Sequence, residues 1–231
     1  MKTHSTLFKK ITKLGLLLMV GLSMNACSGT KSWKEEVQLS DGKIIVVERL
    51  QTLGKPPTRE SREGKILDEA ISFLMPGTNQ KITWAMSFRN DVPEPNGVNV
   101  IVLDIVNNTA YIAGYPAGCI AYNKWNRPNP PQILFKYENA QWKRISLKEF
   151  PTEITQANLI VGGPPAERIK SFYSVEQVNT ENHDIEEGSY KTIQREPVNG
   201  YEQNCPMLVR IEGGWVEPGG AKAPIPVAPR S

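Results

Sequence analysis

Apolar and polar positions alternate with a period of two from Trp33 onward. Trp33, Glu35, Val37 and Leu39 occupy one phase and Lys34, Glu36 and Gln38 the other, which predicts a strand with one covered face. Asp41-Gly42 supplies a hairpin turn before Ile44-Ile45-Val46-Val47, a β-branched return strand. Residues 54–64 hold Pro56-Pro57 with Arg59, Glu60, Arg62 and Glu63, an exposed loop. A second hairpin is expected from Ile66 to Ser87, turning at Pro76-Gly77-Thr78-Asn79; its first half, Leu67 to Met75, suits a short helix as well as a strand. Asn99 to Val106 is almost continuously apolar and β-branched, fitting a central strand buried on both faces. Asn107-Asn108 turns it back into Tyr111-Ile112-Ala113. A similar unit runs from Ile133 to Tyr137, turns at Glu138–Gln141 and returns through Trp142 to Leu147. The two units align Leu103 with Leu134, Asn108 with Asn139 and Tyr111 with Trp142. With no third copy, shared turn chemistry accounts for the likeness better than a repeat.

Helical signals are few. Ser146-Leu147-Lys148-Glu149 is a capping box that Pro151 stops after about one turn. Ser174-Val175-Glu176-Gln177 is a capping box from which a helix can continue to about His183. Strand-like pieces return at Tyr190–Gln194 and Met207–Ile211. After Val216 the chain is rich in Pro, Gly and Ala, and residues 217–231 read as an extended, flexible tail. The expected fold is mainly β: a single antiparallel sandwich or meander-type domain over residues 33–216, with one or two short helices. Eighteen Pro and eighteen Gly among 231 residues fit that turn-rich chain and exclude a helical bundle.

The first 26 residues follow a different rule. Lys2, Lys9, Lys10 and Lys13 precede an apolar run from Leu14 to Leu22, then Ser23-Met24-Asn25-Ala26 and Cys27. Nine apolar residues are too few to span a bilayer, which takes about 20. The order of basic, apolar and small residues is that of a secretory signal. With Ala26-Cys27 at its end, the segment resembles a bacterial lipoprotein signal peptide, although Met24 and Asn25 depart from the usual lipobox choices. The resemblance implies cleavage before Cys27, acylation of that cysteine and anchoring in the bacterial envelope. Ser28, in place of Asp, is similar to lipoproteins sent to the outer membrane and facing the periplasm. Residues 27–32, small and polar, then read as a lipidated tether. Two or more acyl chains are needed for stable anchoring.

This changes the meaning of the charge. The full chain carries 27 Lys and Arg against 24 Asp and Glu, a formal +3. The four lysines before Cys27 belong to the signal, which holds no acid, so 23 bases face 24 acids after cleavage. Basicity therefore speaks of export and gives no ground for a nucleic-acid partner.

Candidate chemistry is sparse. With Cys27 lipidated, Cys119 and Cys205 are an even remainder in an oxidising compartment. They are either a disulfide or two separate buried thiols, and Cys119 as a nucleophile has no motif around it. His183, the one histidine outside the signal, lies among Glu181, Asp184, Glu186 and Glu187, a solvated setting more than a catalytic one. Tyr122, Asn123, Lys124, Trp125, Asn126 and Arg127 form the most site-like stretch, on a proline-rich connection. They are either a ligand loop able to stack on a sugar ring or a structural loop packed on the sheet. The glycine clusters at 162–163 and 213–214 lack phosphate-cradle spacing, and no metal ligand set, cofactor motif or carboxylate pair stands out. The expectation is a lipid-anchored binding or assembly module whose partner is an envelope protein or cell-wall glycan. The alternatives are a periplasmic hydrolase using His183 or Cys119 and an inhibitor or immunity lipoprotein.

Overall fold

The computed structural model describes residues 29–55, 64–185, 190–200, 204–212 and 214–218. The signal, Cys27 and the tail from residue 219 lie outside the described residues. Two antiparallel meanders, consecutive in the chain, pack face to face as a sandwich. The first comprises β1 (Gly29–Gln38), β2 (Ile44–Leu53), β3 (Ile66–Leu74) and β4 (Lys81–Ser87). The second comprises β5 (Val98–Val106), β6 (Thr109–Pro116), β7 (Ile133–Glu138) and β8 (Gln141–Ile145). Helix α1 (Cys119–Lys124) links β6 to β7. The two-residue strand β9 (Phe172–Tyr173) adds to β1 in parallel, and α2 (Val175–His183) follows it. A small hairpin, β10 (Val209–Ile211) with β11 (Gly214–Val216), ends the described chain.

Alternation puts Val37, Val47, Ile71, Phe73, Ile82 and Trp84 on the inner face of the first sheet. They form one cluster with Val100, Leu103, Ile112, Ile133 and Phe135 of the second. The second sheet is covered on its other face too: Ile101, Val102, Tyr111, Ala113 and Leu134 pack against Phe150, Ile154 and Ile193. β5 is thus buried on both faces, as its composition predicts, but it is an edge strand and not a central one. Its free edge is closed by a side chain. Asn158 Oδ1 accepts from Leu103 N at 3.0 Å, while Nδ2 donates to Leu103 O at 2.8 Å and to Gln38 O at 3.0 Å. One amide so supplies the donor and acceptor of a missing strand and ties it to the end of β1.

The Leu67–Met75 ambiguity resolves as strand. The Ser174 box caps α2 with both reciprocal bonds present. Ser146 and Glu149 make the same kind of contact around a bare turn, at 2.7 Å between Oγ and Oε2.

Besides the place of β5, three expectations need correction, while the reading of the paired hairpins as shared turn chemistry holds. The tether read over residues 27–32 is shorter, because residues 29–32 already pair with 50–53 and Lys31 is buried. Small polar residues are compatible with a strand when a neighbour supplies the ladder. Tyr190–Gln194 forms only an isolated bridge, Gln156 with Thr192. Helix α1 was not expected; it is six residues long, with no side-chain cap, and Asn126 and Arg127 with positive φ follow it closely. The paired hairpins are alike only in their turns, Asn107-Asn108 and Asn139-Ala140, all with φ between 50° and 60°. The sequence alignment matches Leu103 to Leu134, yet these face opposite sides of the sheet.

Candidate functional site

The six residues of the 122–127 stretch lie together, and Asn123 and Arg127 among them hold the protein's own C-terminal segment. Asn123 Nδ2 donates to Pro206 O at 3.0 Å and Oδ1 accepts from Leu208 N at 2.9 Å. Arg127 donates to Pro206 O and Cys205 O at 3.0 and 2.9 Å, and its guanidinium lies 4.8 Å from the Tyr122 ring. Trp125 is buried against Phe135, with its indole N–H donating to Asn96 O at 3.0 Å. Lys124 Nζ donates to Arg89 O at 2.6 Å and Asn96 Oδ1 at 3.2 Å, and burial draws its pKa below the usual lysine value. Asn126, at φ 62°, makes the turn. Cys119, at the start of the same helix, is bonded to Cys205. The stretch works as a clasp, and the rings that would stack on a sugar are covered.

The disulfide leaves Cys119 without a thiolate, which removes it as a nucleophile. The His183 side chain is 86% exposed, and its ring nitrogen lies 3.2 Å from the Asp184 carboxylate. No group of three His, Cys, Asp or Glu among the described residues could hold a metal ion.

A polar cleft of about 340 Å³ lies at the end of the sandwich where β1 turns into β2. Its walls are Gln38 to Ser40 and Gly42, the 153–158 segment and the first turns of α2. Three carboxylates line it: Glu36, Asp104 and Glu153, with Gln156, Asn158 and Asn179 adding amides. No Lys or Arg is among the lining residues. Glu36 accepts from Val175 N at 3.1 Å, at the positive end of α2. Asp104 interrupts the apolar run of β5 and reaches the β1–β2 turn. It accepts from Ser40 N at 2.9 Å, Ser40 Oγ at 3.0 Å and Ile105 N at 2.7 Å. Burial raises its pKa above the usual aspartate value, these hydrogen bonds hold it back, and the nearby Asp41 charge adds to the rise. Acids and amides without opposing bases suit a cationic or hydroxyl-rich ligand.

Further along the inner face of the first sheet lies a buried ion cluster. Arg49 donates to Glu35 Oε1 at 3.1 Å and to Ile160 O at 2.6 Å, and it forks onto Glu69 Oε1. Glu35 Oε2 accepts from the Trp33 indole at 3.1 Å and from Ile160 N at 3.3 Å, and Arg49 stacks on Trp33 at 4.9 Å. The 160–164 loop roofs it. A Cβ on Gly163, at φ +79°, would meet the Trp33 ring at 2.7 Å, so that position needs glycine. The cluster is sealed, and Arg49 and Glu35 are each held by several partners, which makes it structural; Gln51 Oε1 beside it is buried without a hydrogen-bond partner among the described residues. Sequence alternation carried its signal, since Glu35, Arg49, Gln51 and Glu69 all stand in the inward phase.

No protein family matches the chain, and no curated protein or solved structure matches it.

Proposed function

We propose that this chain is a lipid-anchored bacterial cell-envelope protein, acylated on Cys27 and facing the periplasm from the outer membrane. In this reading the sandwich is a binding or assembly module. The observation that carries it is the use of the three cysteines. Cys119 and Cys205 pair, as thiols do in an oxidising compartment. Cys27 is left over, at the end of an export-type signal and two residues before β1. Cleavage before Cys27 leaves both sheets complete.

The chemistry available is recognition. Cys119 holds no thiolate, and His183 is exposed beside Asp184. The cleft around Asp104 and Glu153 offers hydrogen-bond acceptors and negative charge, suited to an amino-bearing or hydroxyl-rich cell-wall glycan or to a basic side chain of an envelope protein.

Labelled palmitate is expected to enter the wild-type chain in a bacterial host and to be absent from Cys27→Ala. Equal labelling of both, or of neither, sinks the anchor. For the module, the partner captured by the wild-type chain from envelope extracts is expected to be lost with Glu153→Lys, which reverses charge at an exposed wall of the cleft. Undiminished capture would place binding elsewhere.

A further inference from the structure

Among the described residues, side-chain amides from α1 and its connection to β7 grip the main chain of the returning C-terminal stretch at three points. Gln132 donates to Thr192 O at 2.8 Å and accepts from Gln194 N at 3.0 Å. Asn129 donates to Val198 O at 3.2 Å and accepts from Val198 N at 2.8 Å. Asn123 grips Pro206 O and Leu208 N in the same way, and Arg127 adds bonds to Cys205 O and Pro206 O. As the connection runs from 123 to 132 its partners run from 208 back to 192, so the two segments lie antiparallel. Each amide supplies both the donor and the acceptor of a neighbouring strand, and it reads backbone, not side chains.

The grip divides at Glu196-Pro197, both exposed. Before them the chain belongs to the sandwich. Ile193 is buried in the second core cluster, and Arg195 donates to Phe150 O, Pro151 O and Ile154 O at 3.1, 2.5 and 3.1 Å. After them no described residue is buried and none joins a hydrophobic cluster. Met207, Val209 and Ile211, at alternate positions, are 56%, 41% and 38% exposed. This arm is held by hydrogen bonds, the contact of Lys124 with the Trp215 ring and one disulfide. Its departure costs the sandwich no core contact. The two-residue link, stiffened by proline, is the kind of short hinge from which segments exchange between copies.

We propose that the arm exchanges between two copies of this chain, each arm seating on α1 of the other copy, with Cys119 bonded to Cys205 of that copy. The seated arm shows what the seat accepts, and a second copy carries the same arm. Every clasp contact is remade across the pair, which closes a two-fold dimer. The covalent step conserves electrons. A small-molecule thiolate attacks Cys205 Sγ; Cys119 leaves as a thiolate, and the arm carries a mixed disulfide. Cys119 of a second copy, opened in the same way, attacks that Cys205 Sγ and expels the small thiolate. Two bonds within copies become two bonds between copies, with the thiol as catalyst and no oxidant. The exchange needs neither the Asp104 cleft nor the lipid anchor, although anchoring raises its yield by confining copies to one surface.

For the test, residues 28–231, which keep both sheets, are prepared with natural and with heavy nitrogen. The two are mixed in equal, roughly millimolar amounts with catalytic glutathione and separated by size. A dimer fraction is expected, and in its non-reduced digest about half of the Cys119–Cys205 peptide pairs are of mixed isotope, as random choice of copies requires. Monomer alone, or a dimer whose Cys119–Cys205 pairs are all of one isotope, overturns the exchange. A second mixture combines Cys119→Ser with Cys205→Ser, neither of which can close on itself. Oxidised with glutathione disulfide, it is expected to form the Cys119–Cys205 bond between copies about tenfold or more over the two like-with-like bonds, because the seat raises the local concentration of the arm. Adding Asn123→Ala and Arg127→Ala to the Cys205→Ser chain is expected to return that preference to random pairing. Random pairing from the start, or a preference that survives the loss of Asn123 and Arg127, would show thiol scrambling without seating and overturn the proposal.

Discussion

Arg49→Met is expected to destabilise the sandwich by about 3–5 kcal/mol, read as a fall in the urea midpoint. The methionine fills much of the volume and keeps contact with Trp33, but it leaves the buried Glu35 and Glu69 without their cation. Ile160 O also loses its donor. Burial already raises the Glu35 pKa in the native protein, with the Arg49 charge as the main opposing influence, so removing that charge raises it further. A folded state that holds the proton more tightly than the unfolded chain gains stability as pH falls. The deficit of the variant relative to wild type is therefore expected to narrow toward acid, through the carboxylate range and above it. A deficit independent of pH would mean that packing, not charge, carries the loss. The triple change Glu35→Gln/Arg49→Met/Glu69→Leu is expected to recover most of the stability, because replacing a whole buried ion cluster removes its desolvation cost. Glutamine is chosen at 35 so that the Trp33 indole and Ile160 N keep an acceptor; leucine there would orphan two buried donors.

The same residues show how far the sequence could be read. Pattern and turn chemistry located seven of the eight main strands, because covered faces and β-turns are dictated locally, and left β3 open between strand and helix. The capping box at Ser174 located α2 for the same reason. What escaped is non-local. Asp104 looked like a blemish in an apolar strand, and its partner Ser40 is 64 residues away. Asn158 lies in an irregular segment with no periodicity, yet it completes the edge of β5 across 55 residues. Glu35 stood in the covered phase of its strand in the sequence, while Arg49, just past the apolar run 44–47, was not singled out. Nothing local could say that Glu69 and the Ile160 carbonyl would meet them. The 122–127 stretch was ambiguous for a physical reason. Aromatic, amide and basic groups are what a ligand loop needs, and equally what a clasp for an irregular tail needs. Only the position of Cys205, Pro206 and Leu208 distinguishes the two.

Removing the disulfide is the other large effect. Cys119 and Cys205 are 86 residues apart, so opening the bond frees the unfolded chain by about 4–5 kcal/mol in the loop-entropy description. The double variant Cys119→Ser/Cys205→Ser is expected to lose that much if its folded state keeps the C-terminal segment docked. Docking then rests on the contacts of Asn123, Arg127, Lys124, Arg210 and Trp215. Where those contacts fail to hold residues 204–218, the folded state also gains freedom, and the measured loss shrinks. The two cases separate by a second reading. A docked segment gives the full fall in unfolding free energy and leaves cleavage by a protease added to the folded protein at the wild-type rate. A released segment gives a smaller fall and rapid cleavage confined to the chain after Pro197, with the sandwich intact. A loss under about 1 kcal/mol with no new cleavage would show that the bond closes no entropically costly loop. The reason would then be that the unfolded chain already holds α1 near the C-terminal segment.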